Sequence, residues 1–290
     1  MRTGIACASG SAKGVFVHGV LDAFERAGFK VDSYAASSSS TIPAAFASIH
    51  ELALLEGTEY WKKVGTRFIE ANSDVSKAVK DGIKSILPMI NEKLFAEEAP
   101  CFSIAVSAVV TEEAAQLTQG AGAKKLGQHL MLSIRKKDKS WAARNLVCRL
   151  FDTKAKGQSR LTPGNLEDAL YATTRMLHAW KDAAWIDGEP YVDASYTCMC
   201  PAIELAQAGV ETVIAISPES GPLYRDFFQS ETLPTSFGSS SIYHIQPARN
   251  LTELGVDYLR ATEEGFEAAF NLGKRMGTQF LEAFGKNRSV

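Results

Sequence analysis

Ser33-Tyr34-Ala35-Ala36-Ser37-Ser38-Ser39-Ser40-Thr41-Ile42-Pro43-Ala44-Ala45-Phe46 is the stretch on which the reading of the fold turns. It reads as a short strand, a tight turn of tiny residues and an Ala-rich helix. A serine on such a turn is pushed out of the backbone and is placed to act as a nucleophile. The usual frame is Gly-x-Ser-x-Gly, where glycine tolerates the strained dihedrals and lets neighbouring chains approach. Here the frame is Ala36-Ser37-Ser38-Ser39-Ser40, with Ser38 central and small residues in both glycine places. Taken alone, these residues read more readily as a serine-rich loop capping a helix, since Ser is a favoured N-cap.

The flanking sequence changes that balance. Thr3 to Ala8 is a compact apolar run, expected as a buried strand, and Ser9-Gly10-Ser11-Ala12-Lys13-Gly14 follows it. A helix with Val17, Val20, Leu21 and Phe24 on one side then stops at Gly28. Val31 to Ala36 leads into the Ser38 turn. Strand, small-residue loop, helix, strand is a parallel βαβ opening, so a three-layer α/β/α fold is expected, with a mostly parallel central sheet in a single domain.

Further on, Ala44 to about Ala71 reads as one or two helices packed through Trp61, Val64, Phe68 and Ile69. Val75 to Phe95 reads as helical, punctuated by Gly82 and Pro88, and fits surface helices better than a cap over a site. Strands are expected at Phe102–Val110, Leu146–Phe151, Val210–Ile216 and Ile242–Ile245. Helices are expected at 121–134, 166–177, 201–208 and about 250–284. Trp185 to Asp193 reads as a hairpin turning at Asp187-Gly188.

Composition excludes several function classes. The 290 residues are 46% hydrophobic and 22% charged, with net charge −2. Such a balance is ordinary for a soluble globular chain and gives no electrostatic case for nucleic acid. The cysteines are Cys7, Cys101, Cys148, Cys198 and Cys200; their odd number and apolar settings suit thiols in a reducing compartment. Cys198-x-Cys200 has no matching second pair, so no metal site is expected. No apolar run approaches the roughly 18 residues of a membrane span, and the N-terminus does not read as a signal peptide. A cytoplasmic location is therefore expected.

The motifs taken together resemble the patatin-like phospholipases, a family of serine lipid acyl hydrolases. Their pattern is a glycine-rich loop ending in Lys/Arg-Gly, a helix with Gly-Val-Leu, the elbow serine, and much later Asp-Gly-Gly or Asp-Gly-Ala. This chain offers the Ser9–Gly14 loop, His18-Gly19-Val20-Leu21, the Ser38 elbow and Gly188-Glu189-Pro190-Tyr191-Val192-Asp193-Ala194-Ser195. The resemblance spans about Gly4 to Ser217. It implies that Asp193 takes the proton from Ser38 directly, with no histidine. It also implies that the Ser9, Gly10, Ser11, Ala12, Lys13, Gly14 loop supplies backbone N–H donors to the oxyanion. Lipid or other ester substrates follow, with no cofactor and with a peripheral membrane contact.

The departures are all from glycine to another small residue: Ser9 and Ser11 in the loop, Ala36 and Ser40 in the elbow, and Ala194 after the aspartate. They predict backbone strain at the loop and elbow, at on the order of 1–3 kcal/mol per residue. A fold that binds without catalysing is therefore an alternative. Lys13 reads equally as a loop stabiliser or a solvated lysine. Asp187 is a weaker candidate base, better read as a turn residue. Only His244 has the chain order of a Ser–Asp–His triad, and too few strands precede Ser38 for that fold. A dinucleotide-binding oxidoreductase is a minor alternative, because Gly10 and Gly14 lack the middle glycine of Gly-x-Gly-x-x-Gly.

Overall fold

The structure, a computed structural model, describes residues 2–70, 74–258 and 260–287, with 68–70 and 287 described by backbone alone. The expected packing of Phe68 and Ile69, and the helix end at Ala71, fall outside the described side chains and residues. So does the very end of the expected C-terminal segment, 288–290.

The opening folds as the sequence predicts. β1 (Thr3–Cys7) and β2 (Ser33–Ser37) are buried along their whole length and pair in parallel, with α1 (Gly14–Arg26) between them. Gly28 at φ +63° stops the helix. α2 (Thr41–Ser48) follows the serine turn and carries Pro43 in its first turn, where a missing N–H leaves no bond unmade. α3 (Thr58–Glu70) and α4 (Val75–Leu94) come next. α4 runs through both Gly82 and Pro88, and its Ile83, Ile86, Ile90 and Leu94 are buried in the main core. It is an integral helix of its layer, in keeping with the reading against a cap.

β3 (Cys101–Val109) is the longest strand. α5 (Glu112–Gln119) is not among the expected helices. Its signal is short: Thr111 caps it by accepting from the Ala114 N–H, and two glutamates fill its first turn. α6 (Ala123–Arg135), α7 (Ser140–Asn145), β4 (Leu146–Asp152) and α8 (Leu166–Thr173) follow, α8 ending four residues before the expected Leu177. β5 (Trp185–Ile186) and β6 (Glu189–Val192) form the hairpin, with Asp187 and Gly188 both at positive φ as an Asp-Gly turn requires. α9 (Ala202–Gln207), β7 (Thr212–Ile216), β8 (Ser236–Phe237), β9 (Ser240–Ile245) and α10 (Glu263–Asn287) complete the chain. The helical stretch expected from about 250 is broken by Gly255, at φ +85° after a single 3-10 turn.

The nine strands among the described residues form one sheet between helix layers, with five parallel strands in the order β3-β2-β1-β7-β9 and antiparallel partners at both ends. Side chains alternate between its faces. Ile5, Cys7, Phe102, Ile104 and Ile214 face the core under α1, α2, α4 and α8. Ala6, Ala35, Val213 and Ala215 face α9.

α1 and α10 touch backbone to backbone. A Cβ on Gly19 would lie 2.1 Å from the Phe270 carbonyl oxygen, and one on Gly273 would lie 2.1 Å from that of Phe16. Glycine is required at this crossing for closeness, not for dihedral freedom. Gly19→Ala is expected to lower stability by about 1–3 kcal/mol through overpacking. Gly65→Ala in α3, with nothing within 4 Å, is expected to raise it by about 0.5–1 kcal/mol. Denaturant unfolding of the two variants checks the contrast; equal effects would contradict it.

Candidate active site

Register along β3 brings the two ends of the site together. β4 occupies one edge of β3, opposite Ser103 to Val109. On the other edge, β2 runs parallel and its last residue, Ser37, pairs with Ala105. β6 runs antiparallel on that same edge, and its last residue, Val192, pairs with Ser107. Two strands thus approach each other head-on along one edge and stop with Val106 between them. The next residue of each is Ser38 and Asp193. Ser38 Oγ donates to Asp193 Oδ2 at 3.1 Å.

Each serine of the run has its own partner. Ser37 Oγ donates to the Cys198 carbonyl at 2.9 Å, Ser39 Oγ to that of Ser11 at 2.9 Å, and Ser40 Oγ to that of Ala8 at 2.6 Å. Only the Ser38 hydroxyl points at a carboxylate. Ser38 sits at φ +54°, the left-handed region that costs a non-glycine residue on the order of 1 kcal/mol. What holds it there is Thr173 at the end of α8. Its hydroxyl accepts the Ser38 N–H at 2.8 Å and donates to the Ala105 carbonyl at 2.6 Å.

The predicted strain is therefore misplaced at three of its four positions. Ala36 lies in β2, Ser40 has φ −74°, and Ser9 is absent from the residues with positive φ. Strain falls on Ser38 itself and on Ser11, at φ +48°. Glycine is retained where contact is tightest. A Cβ at Gly10 would lie 2.5 Å from Pro218 Cγ; at Gly14 it would lie 2.7 Å from the Trp61 ring and 3.0 Å from Ser39 Oγ.

Nor do all the loop amides fit the role expected of them. Ser9 N–H donates to the Met199 carbonyl, Ala12 N–H to Tyr258, Lys13 N–H to Gly10, and Gly14 N–H back into the turn. Only the Gly10 and Ser11 amides find no acceptor among the described residues. Lys13 is 1% exposed, which rules out the solvated reading. Its Nζ bonds Glu219 and Asn250 and lies 4.3 Å over the Tyr258 ring, so it ties the loop to later chain segments.

Asp193 is 1% exposed. Its Oδ1 accepts the Ser195 N–H at 2.8 Å. Burial pushes its pKa up to about 6, against which the hydrogen bonds from Ser195 and Ser38 act. Two residues unseen in the sequence place it. Ser107 Oγ donates to the Asp193 carbonyl at 2.8 Å, and the fully buried Arg175 accepts the Asp193 N–H on its own carbonyl at 3.0 Å. The Arg175 guanidinium bonds the Asp182 and Thr118 carbonyls. The polar run Thr173-Thr174-Arg175 straight after an apolar helix was the signal available for these contacts.

No histidine reaches the pair. His244 pairs in register with Ala215, and through β7 and β1 with Ala35, so three strand spacings of about 4.8 Å separate it from β2. Its ring bonds the Pro234 carbonyl. His18, its pKa lowered to about 4 by burial, accepts from Trp61 Nε1. Asp187 lies at the opposite end of β6, held by Asn165. A surface depression of about 550 Å³ lined by Glu59, Lys62, Lys63, Thr66, Arg67 and Glu263 includes none of the site residues.

No protein-family model matches this chain, and no curated protein matches it.

The Asp193 charge has a stability signature. The folded pKa is raised above the unfolded value, so the native state binds more protons between about pH 4 and 6. The resulting stabilisation is complete below the unfolded pKa and is lost as pH rises through about 6, a difference of about 3 kcal/mol. Asp193→Asn is expected to flatten this pH dependence and to raise the thermal midpoint at pH 7. Thr173→Val, which strands the Ser38 N–H and the Ala105 carbonyl, is expected to cost about 2–5 kcal/mol. Thermal melts across pH 4 to 8 check both; a lower midpoint for Asp193→Asn at pH 7 would contradict the first.

Proposed function

We propose that the chain is a serine acyl hydrolase of the patatin-like kind, cleaving carboxylic esters of lipids through Ser38 and Asp193. One observation carries this reading: an elbow serine, held at positive φ, donates to a buried carboxylate with no histidine between them.

In this mechanism Ser38 Oγ attacks the ester carbonyl as its proton passes to Asp193 Oδ2. A base with a pKa near 6 is ionised at neutral pH, yet is more basic than an ordinary aspartate. Ser195 N–H, fixed on Oδ1, keeps Oδ2 turned to the serine. The tetrahedral oxyanion is received by the Gly10 and Ser11 amides beside the N-terminus of α1, whose dipole favours negative charge. Protonated Asp193 then gives its proton to the leaving alcohol. Water, activated by the same carboxylate, hydrolyses the acyl-serine and restores both groups.

The position of the site supports the reading. The Ser38 turn and the Ser9–Gly14 loop follow the carboxyl ends of β2 and β1, where open α/β sheets bind ligands. Tyr258, 41% exposed beside Lys13, offers an apolar edge to an acyl chain or membrane surface. Among the described residues no helix is long and apolar enough to cross a membrane. Five unpaired thiols fit a reducing, cytoplasmic setting. The N-terminus of α1, where a dinucleotide would place its pyrophosphate, is packed against Ser39, Ser40 and Trp61. That packing counts against the oxidoreductase alternative.

Ser38 is only 7% exposed. This burial favours a second reading, in which the same site binds a ligand without turning it over. Fluorogenic esters of graded acyl length and phospholipid vesicles separate the two. The wild type is expected to hydrolyse at least one series, with a rate that rises with pH through about 6 as Asp193 ionises. Ser38→Ala and Asp193→Asn are each expected to lower it by about 1,000-fold or more, and His244→Ala to leave most of it. A folded wild type inactive on every substrate would favour the binding protein.

A further inference from the structure

On the α9 face of the sheet, two thiols and a carboxylate from three separate elements converge. Cys148 lies on β4, Cys198 follows the Asp193 turn, and Glu204 lies on α9, with ligand atoms all within 4.8 Å of one another. Cys198 is 1% exposed, Cys148 is half-buried, and the Glu204 side chain is 11% exposed. The carboxylate is only half satisfied. Glu204 Oε1 accepts from Arg225 Nη2 at 2.7 Å, whereas Oε2 is buried and accepts no hydrogen bond, not even from the two thiols. A buried carboxylate oxygen without a donor is destabilising, so a ligand that satisfies it would be gained at this position.

We propose that Cys148, Cys198 and Glu204 form a zinc site of two thiolates and one carboxylate, with water in the fourth position beside the half-buried Cys148. Geometry, charge and ligand chemistry agree. Zinc–sulfur bonds of about 2.3 Å and zinc–oxygen bonds of about 2.0–2.2 Å place tetrahedral ligand atoms about 3.5–3.8 Å apart, so the cluster closes around the ion with a contraction of about 1 Å. Two thiolates and a carboxylate bring three negative charges. Zinc supplies two positive charges, and Arg225, on Oε1 and also 3.6 Å from the exposed Glu231, offsets much of the third, so the site is close to neutral when the ion is bound. On binding, each thiol releases its proton to solvent and its sulfur takes up the metal; nothing is oxidised or reduced. Mixed sulfur and oxygen donors suit zinc better than magnesium or calcium, which take oxygen alone. Cys200, two residues from Cys198, bonds the Ala6 carbonyl and is not part of the set.

The ion would fasten the loop after Asp193 to β4 and α9. The Cys198 carbonyl already holds Ser37, so the loop is tied to the elbow from one side and to the metal from the other. The proposal rests on the cluster alone and stands whether or not Ser38 is a nucleophile.

The test uses the full chain, without a histidine tag, purified under reducing conditions. After loading with zinc and gel filtration, elemental analysis is expected to find one zinc per chain. Replacement by cobalt is expected to give a thiolate-to-cobalt charge-transfer band. Cys148→Ser removes a half-exposed ligand and is the variant least apt to unfold; Glu204→Gln keeps the side-chain shape. Each is expected to weaken zinc retention by about 100-fold or more, and Cys148→Ser to reduce the cobalt band. Zinc is expected to raise the thermal midpoint of the wild type but not that of either variant. A folded, reduced wild type that retains no zinc overturns the proposal. So does zinc bound equally by wild type and both variants, or a Cys148–Cys198 disulfide that forms with peroxide at the same rate with and without added zinc.

Discussion

One edge of β3 carries two strands running toward each other, and the site depends on where each of them stops. Parallel β2 ends opposite Ala105 and antiparallel β6 ends opposite Ser107. A shift of one residue in either register would turn Ser38 or Asp193 to the other face of the sheet. The hydrophobic alternation of β3 fixes that register, because Phe102, Ile104 and Val106 all enter the large core. Thr173 then joins the two strands' partner, Ala105, to the turn itself. The distance between two groups far apart in sequence is thus set by sheet hydrogen bonding, not by side-chain reach.

Placing a charge at that junction has a cost that the rest of the fold carries. Asp193 is buried with hydrogen bonds from Ser38 and Ser195 and no cation bonded to it among the described residues, and burial dominates its pKa. Ser38 adds backbone strain at the same point. Both features would be discarded by selection for stability alone, and both fit the proton transfer from Ser38 to Asp193 that we propose. Of the serines in glycine places, Ser40 has a structural use, whereas the Ser9 hydroxyl is buried with no hydrogen-bond partner among the described residues and Ser11 sits at positive φ. Ser39 and Ser40 fasten the elbow to the carbonyls of Ser11 and Ala8, so part of the close approach that glycine permits elsewhere is replaced here by hydroxyl hydrogen bonds.

The parallel sheet was legible because its strands are continuous apolar runs separated by helices, and Asp187-Gly188 announced the hairpin. Ser38 and Asp193 were legible only as members of a motif order; their meeting needs the register of β3, which no local pattern contains. The position of the strain was misread because glycine in a motif marks either positive φ or close contact, and sequence does not distinguish them. At Gly14 it is contact, at Ser38 it is φ. Lys13 was ambiguous because its partners, Glu219 and Asn250, lie more than two hundred residues away. Thr173 acts through its hydroxyl and Arg175 through its own carbonyl, both on main-chain groups distant in sequence, so the polar run that contains them does not say what they hold.

The glycine crossing of α1 and α10 bears on how the chain is made. The apolar side of α1 is completed by a helix some 250 residues further on, the last one in the described chain. At ribosomal speeds of about 5–20 residues per second, α1 waits roughly 10–50 s for its cover. Until then the side of α1 that meets α10, at Phe16, Val20 and Phe24, lacks its native cover. Completion of the layer around the site therefore waits for α10, late in the order of synthesis.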